Sequence, residues 1–570
     1  MNVRRIHLVR TCLTALLVAS GLALTTGTPA HAVEEDLRLP GGPMSATVAT
    51  PVELDARLWL PSQVPAPAVI LAHGFGGSKD SVSTQAQVLA DRGFVVLAYS
   101  ARGFGTSTGL ISVNAPAFEV ADARTLIDFL GKQPEVLQDG PQDPRVGIAG
   151  GSYGGALALL TAGYDDRVDA VAADITWNDL QTSLFGQSAR QIDGAPVGPG
   201  VYKQQWTSWF FSVGLVDPEV TECGRFTPAW CAAYLEAAQS GEVSAASSAL
   251  MRASSPGSVT DRITAPTLIL GGEADSLFPL AQANANAEQI MAAHPDVPVK
   301  VVWHAGGHDG GVNESDRVQG LMADWLRAYL TGSSVTTDFE YTLASGAIST
   351  DNSRPAPVVL QASNYPGLSG TSAVTLSLSG ITEFGPASPM QRVLAPAGGS
   401  PAAFTSLPGL GSALSDLAGA IGAAGAGLPG LSFPGQSATF TSAPFDAKTT
   451  IVGSGAVRLR LQAPKPVTDV ALFASLRVVS PGGRSSLPAG LVAPIHIPAL
   501  GPKPIEVQVE LPAIVANVNA GDAVHLVVGT TDQAYRLPIR SAVYQIGLAD
   551  QAPDAPVLTL PLVDGEPIAT

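Results

Sequence analysis

An α/β sheet domain carrying a helical insertion, followed by an all-β jelly-roll sandwich, is the fold class this sequence predicts. Three observations carry it. Between about residues 45 and 333 short apolar runs alternate with helical patterns. Residues 176–262 interrupt that alternation and are rich in aromatics. After residue 336 the spacing of apolar residues changes from helical to strict alternation.

The N-terminus comes first. Arg4, Arg5 and Arg10 precede an apolar run from Leu13 to Leu24, and Ala30-His31-Ala32 offers a small-x-small cleavage site. Residues 1–32 therefore read as a secretory signal, with cleavage after Ala32 and a secreted product. The apolar run is too short to span a membrane, so no transmembrane anchor is expected. Two cysteines remain beyond it, Cys223 and Cys231. Close spacing in an exported chain predicts one local disulfide, with free buried thiols as the alternative. No histidine lies nearby to complete a metal site, and neither metal nor other cofactor is expected.

The chain of 570 residues is too long for one ordinary domain. The α/β domain is predicted over residues 33–335. Its strands read as Ala68–Ala72, Phe94–Ala98, Val146–Ala149, Ala170–Ala173, Thr267–Leu270 and Val299–Val302. These largely apolar runs read as the strands of a parallel sheet covered by helices on both faces. Val120, Ala123, Ile127 and Leu130 share one helical face, and Val318, Leu321, Trp325 and Tyr329 another.

The insertion, 176–262, holds Trp177, Trp206, Trp209 and Trp230 with both late cysteines. Lying between two sheet strands, it must project from the sheet, and it is expected to cap the site. Trp177, Trp206 and Trp209 are the candidate substrate wall.

The sandwich is predicted over residues 336–570. Val457, Leu459 and Leu461 alternate with Arg458 and Arg460, and Ile505, Val507, Val509 and Leu511 with Glu506, Gln508 and Glu510. A Gly/Ala-rich stretch, 395–436, reads as an insertion in it, with Leu410, Leu414, Leu417 and Ile421 on one helical face.

A net charge of −17 argues against nucleic acid, whose phosphates need clustered Lys and Arg. The chemistry is marked instead by Gly150-Gly151-Ser152-Tyr153-Gly154-Gly155, which follows an apolar strand and precedes an apolar helix. Strand, Gly-x-Ser-x-Gly, helix is the nucleophile elbow. Its turn is tight enough that side chains at the glycines would collide, and the strain aims Ser152 into a cleft. A serine hydroxyl needs a base, a group that orients the base, and donors for an oxyanion. In chain order the acid comes next. Asp275 follows Thr267–Leu270 in Gly271-Gly272-Glu273-Ala274-Asp275, with Glu273 as rival. The base is His308, in the glycine-rich loop after Val299–Val302, with His304 as rival. The backbone N–H groups of Tyr153 and of Phe75, in His73-Gly74-Phe75-Gly76-Gly77, are the expected oxyanion donors. His73 reads as a structural hydrogen-bonding residue.

These pieces together resemble the α/β-hydrolase superfamily. The elbow, the run from Tyr99 through Arg102-Gly103-Phe104 to Gly109, the inserted cap and the C-terminal jelly roll make the chain similar to the Xaa-Pro dipeptidyl-peptidases and cocaine-esterase-like acyl hydrolases. The resemblance implies serine hydrolysis of a small-molecule ester or of a short peptide with proline second. Where the cocaine-esterase branch carries an oxyanion-loop tyrosine this chain has Phe75, which implies a backbone donor. The function expected is a carboxylic esterase working through an acyl-enzyme. Xaa-Pro dipeptidyl-peptidase activity is the alternative, and a binding protein with a vestigial site is a third reading.

Overall fold

The computed structural model describes residues 33–192, 197–215, 223–344, 357–381, 390–399, 435–549 and 557–568. The predicted signal, and Leu410 to Ile421 with most of the Gly/Ala-rich stretch, lie outside them.

An 11-stranded sheet forms the first half. Its order is Val33–Pro43, Pro51–Leu60, Val95–Tyr99, Ala68–Ala72, Val146–Gly151, Val168–Asp174, Thr267–Gly272, Val299–His304, Phe339–Leu343, Val358–Ala362 and Glu566–Pro567. The strands from Val95–Tyr99 through Phe339–Leu343 run parallel, and the edge strands pair antiparallel. Alternation within each parallel strand feeds two cores. Val69 and Leu71 pack with Leu89, Trp325 and Leu326 on one face, whereas Ala68, Ile70 and Ala72 pack with Leu126, Ile127 and Leu157 on the other. Helices Ser83–Asp91 and Ser315–Thr331 cover the first face, and Glu119–Leu130, Tyr153–Tyr164 and Leu280–Ala293 the second. No helix among the described residues is long and apolar enough to cross a membrane.

Two antiparallel sheets make the sandwich. Thr449–Gln462 and Ile505–Val518 are central to one; Val467–Val479 and Ala523–Gly529 are central to the other. Val457, Leu459, Leu461, Val507 and Val509 all point into the core between the sheets. The 11-stranded sheet continues past residue 335, taking three strands from the C-terminal part of the chain.

The insertion folds into helices Leu180–Leu184, Gln204–Gly214, Pro228–Ser240 and Ala245–Ala253. Cys223 and Cys231 are joined by a disulfide that ties the start of Pro228–Ser240 to the preceding turn. A short strand of the insertion, Ala189–Gln191, pairs antiparallel with Val507–Val509 and so becomes an edge strand of the sandwich.

Candidate active site

Parallel strands place their following loops at one end of a sheet, which is where such sheets present ligands. Ser152, Asp275 and His308 each follow such an end, after Val146–Gly151, Thr267–Gly272 and Val299–His304.

Main-chain constraints set the serine. Ser152 sits at φ +55° and ψ −115°, a strained conformation for a residue with a side chain. Its N–H donates to the Asp174 carbonyl at 2.8 Å, and its own carbonyl accepts from Thr176 Oγ1 at 2.8 Å. A Cβ on Gly150 would fall 2.6 Å from the Gly154 carbonyl carbon, and one on Gly155 would fall 2.8 Å from the Asp174 oxygen. A Cβ on Gly154 would meet the Ala72 carbonyl. Gly151 has more room, its nearest neighbour being Asp174 Oδ2 at 3.9 Å. Close approach therefore demands glycine at 150, 154 and 155 and leaves 151 freer.

Ser152 Oγ lies 2.9 Å from His308 Nε2, and His308 Nδ1 lies 2.6 Å from Asp275 Oδ2. The structure thus brings the three predicted residues into one relay. Asp275 is fully buried, and its Oδ1 accepts the Phe278 N–H at 2.7 Å. The acid and base loops are laced by main chain: Ala274 N–H donates to Gly306 O, and Asp309 N–H to Ala274 O, both at 3.0 Å. Burial pushes the His308 imidazole towards its neutral form. The Asp275 carboxylate outweighs that, helped by Asp309 and Asp174, so His308 titrates above the ordinary histidine value.

The two rivals face elsewhere. Glu273 Oε1 accepts the Thr342 N–H at 3.2 Å, and burial holds its carboxyl well above the usual carboxylate range. His304 Nε2 pairs with Asp174 Oδ1 at 2.9 Å. His73 accepts the Ala101 N–H on Nε2 at 3.0 Å and gives its Nδ1–H to Gly74 O at 2.7 Å. Burial lowers its pKa to about 4, and it fixes the loop as a neutral structural residue.

Tyr153 opens its helix, so its N–H has no intrahelical acceptor. The Phe75 loop lies against the serine: a Cβ on Gly74 would fall 3.9 Å from Ser152 Cβ. The Phe75 ring touches Phe104 at 5.1 Å, Tyr153 at 5.7 Å and Phe210 of the insertion at 5.1 Å between centroids. Of the three tryptophans, Trp177 is buried with its Nε1–H given to Ser254 O, and it packs behind the site against Tyr153 and Phe278. Trp206 is also buried and meets His308 edge-on at 6.0 Å. Trp209 and Phe210 remain partly exposed.

Sequence reasoning missed a group beneath Tyr153. Glu119 is buried and accepts the N–H groups of Ser112 at 2.5 Å and Ala115 at 3.1 Å, while Tyr153 Oη donates to it at 3.3 Å. Asn114 Nδ2 donates to the Tyr153 carbonyl at 2.8 Å. Val113 and Asn114 both have positive φ, +52° and +58°, which is unusual for a β-branched valine. Burial raises the Glu119 pKa to about 7. The only sequence signal was an acid in the first turn of a predicted helix.

A model of the X-Pro dipeptidyl-peptidase (S15 family) matches residues 50–310, and one of the X-Pro dipeptidyl-peptidase C-terminal non-catalytic domain matches residues 432–543. Both parts of the chain are thus similar to this family, and the first match spans Ser152, Asp275 and His308. Among solved structures it is similar to an aminopeptidase from a marine sediment Thaumarchaeota archaeon, with TM-score 0.63 and 13% identity over 95% of this chain and 99% of that one. An alpha-amino acid ester hydrolase gives TM-score 0.63 and 14% identity over 95% and 100%. A CocE/NonD family hydrolase from Staphylococcus aureus gives 0.60 and 12% over the same shares. At such identity the likeness shows the shared fold. The curated relatives match over a small part: an uncharacterized 31.7 kDa protein of Escherichia coli is 28% identical over 122 residues, 21% of this chain and 41% of its own. The chain thus spans less than half the length of the curated relatives it matches.

Proposed function

We propose that this chain is a secreted serine hydrolase that cleaves carboxylic esters through an acyl-enzyme. The observation that carries the reading is the continuous relay from Ser152 Oγ through His308 to Asp275 at 2.9 and 2.6 Å. Ser152 Oγ attacks the ester carbonyl carbon while His308 Nε2 takes its proton. The C–O bond to the alcohol then breaks as His308 returns that proton to the leaving oxygen. Water repeats the sequence on the acyl-enzyme and frees the acid. The Tyr153 and Phe75 amides receive the negative oxygen in each tetrahedral intermediate. Asp275 holds the Nδ1–H tautomer and balances the imidazolium.

The partly exposed Trp209 and Phe210, with Phe75 beside them, favour an apolar acyl or aryl group. The carboxylates around the serine are engaged within the protein: Asp174 with His304, Asp309 with Ser276, and Glu119 with the Ser112–Ala115 loop. This supports esters over substrates that need a counter-charge for a free amine. The match to the X-Pro dipeptidyl-peptidase model over residues 50–310 supports a second reading, release of Xaa-Pro dipeptides. The signal-like N-terminus and the disulfide support secretion. A fluorophosphonate probe that labels Ser152 tests the nucleophile. Parallel assays with p-nitrophenyl esters and a Gly-Pro anilide then decide between substrates. Anilide turnover exceeding ester turnover would reverse the order proposed.

A further inference from the structure

Building on the triad reading, we propose that Lys203 is a positioning residue. Its ammonium reaches in from the cap to hold the loop that carries Asp275, so Ser152 reacts at full rate only while Lys203 is protonated.

Lys203 immediately precedes helix Gln204–Gly214 and is 2% exposed. Its Nζ donates to the carbonyl of Ser276 at 2.5 Å and to that of Leu277 at 2.9 Å. These are the two carbonyls directly after Asp275. The same turn is gripped from its other side: the Asp309 carboxylate accepts the Ser276 N–H, and also the Ser276 hydroxyl at 3.1 Å. Trp206 Nε1 donates to that hydroxyl at 3.2 Å. Asp275 is therefore aimed by a turn whose donors and acceptors come from the insertion and from the base loop.

The charges facing the ammonium come from every element packed on it. Asp275 and Asp309 belong to the sheet loops, and Asp532 belongs to the sandwich, where its carboxylate caps the Ala534 N–H at 2.9 Å. The Tyr535 ring lies 6.0 Å from Nζ, on the sandwich side. Burial strips the ammonium of water and lowers its pKa to about 8, with Asp275, Asp309 and Asp532 opposing the fall. The sign follows. Burial raises the Asp309 pKa to about 6, so between about pH 6 and pH 8 the ammonium stands among three carboxylates. Above about pH 8 the cation is lost, the two carbonyls lose a charged donor, and the carboxylates lose their counter-ion.

The test is the rate of fluorophosphonate labelling of Ser152 in the full-length chain, followed by intact mass across about pH 5 to 10. Labelling forms the serine O–P bond, expels fluoride and passes the serine proton to His308, so it reads the triad without a known substrate. The wild type should rise through the His308 titration and fall again near pH 8, set by Lys203. Lys203→Met should label about 10- to 100-fold more slowly at neutral pH and lose the alkaline fall. Its acid limb should move to higher pH, because removing a nearby cation favours the imidazolium. Asp532→Asn removes a charge that supports the ammonium, and should move the alkaline fall to lower pH while the rate on the acid side of that fall stays unchanged. If Lys203→Met does not fold by circular dichroism, the Asp532→Asn shift decides. A wild type without an alkaline fall, or one left in place by both variants, overturns the proposal while the triad stands. Absence of Ser152 labelling at every pH overturns the triad reading, and this one with it.

Discussion

The serine side of the site and the acid–base side come within one hydrogen bond of each other, but they are aimed by different means. Ser152 is set by main chain: a strained φ, an N–H on the Asp174 carbonyl, and three glycines whose neighbours leave no room for a Cβ. Asp275 and His308 are set by main-chain bonds between their loops together with side chains drawn from distant segments, Lys203 and Trp206 among them. Geometry held by backbone contacts is indifferent to pH and to single charges. Geometry held by buried ions responds to both.

The largest expected effect is Ser152→Ala. Turnover of the best ester should drop by about 10⁴-fold or more with the thermal midpoint unchanged. Near-normal turnover would remove the serine side from the chemistry altogether. Next is Asp275→Asn, with an expected loss of about 10² to 10⁴ in kcat. Glu273→Gln should stay within about threefold, because its carboxyl faces Thr342 rather than the imidazole. A larger loss from Glu273 than from Asp275 would reassign the acid. In the wild type the acid limb of kcat/KM should lie above the ordinary histidine value, since His308 must be neutral to accept the serine proton and Asp275 holds its proton on. An acid limb at or below that value would break the assigned pairing.

Arg102→Met probes a charged pair on the serine side that has no chemical task. Arg102 and Asp122 pair bidentately at 2.6 and 2.7 Å, both side chains 1% exposed. Leaving Asp122 alone should lower unfolding free energy by about 3–5 kcal/mol in urea titrations. Fluorophosphonate labelling of the folded variant should stay near normal. The smallest effect expected is from Phe75→Ala. The donor there is the main-chain N–H, so kcat should fall by less than about tenfold, mostly through looser packing against Phe210. A loss comparable to that of Asp275→Asn would mean the ring itself is needed.

The difference between the two sides also explains what could be read in advance. Gly150, Gly154 and Gly155 write a steric requirement directly into the sequence, so Ser152 was legible at once. Asp275 and His308 were legible through chain order and through the loops that follow apolar strands. Lys203 was not, because a lone lysine in an aromatic stretch carries no sign that it will be buried against two carbonyls. Strands Val33–Pro43 and Pro51–Leu60 escaped as well. They pair antiparallel at the sheet edge and interleave Glu, Asp and Arg with their apolar residues, unlike the parallel strands beside them. Trp177, read as substrate wall, is packed behind the site, since an indole has enough apolar area to serve a core equally well.

The three residues Ala189–Gln191 bind the insertion to Val507–Val509 by main-chain hydrogen bonds. Neither half of the chain is therefore a self-sufficient fragment. A truncation ending at residue 344 would leave Ala189–Gln191 with unpaired amides and carbonyls, and would uncover Tyr202 and Lys203 where Arg536 and Tyr535 had lain. Such a piece would be sticky as well as slow.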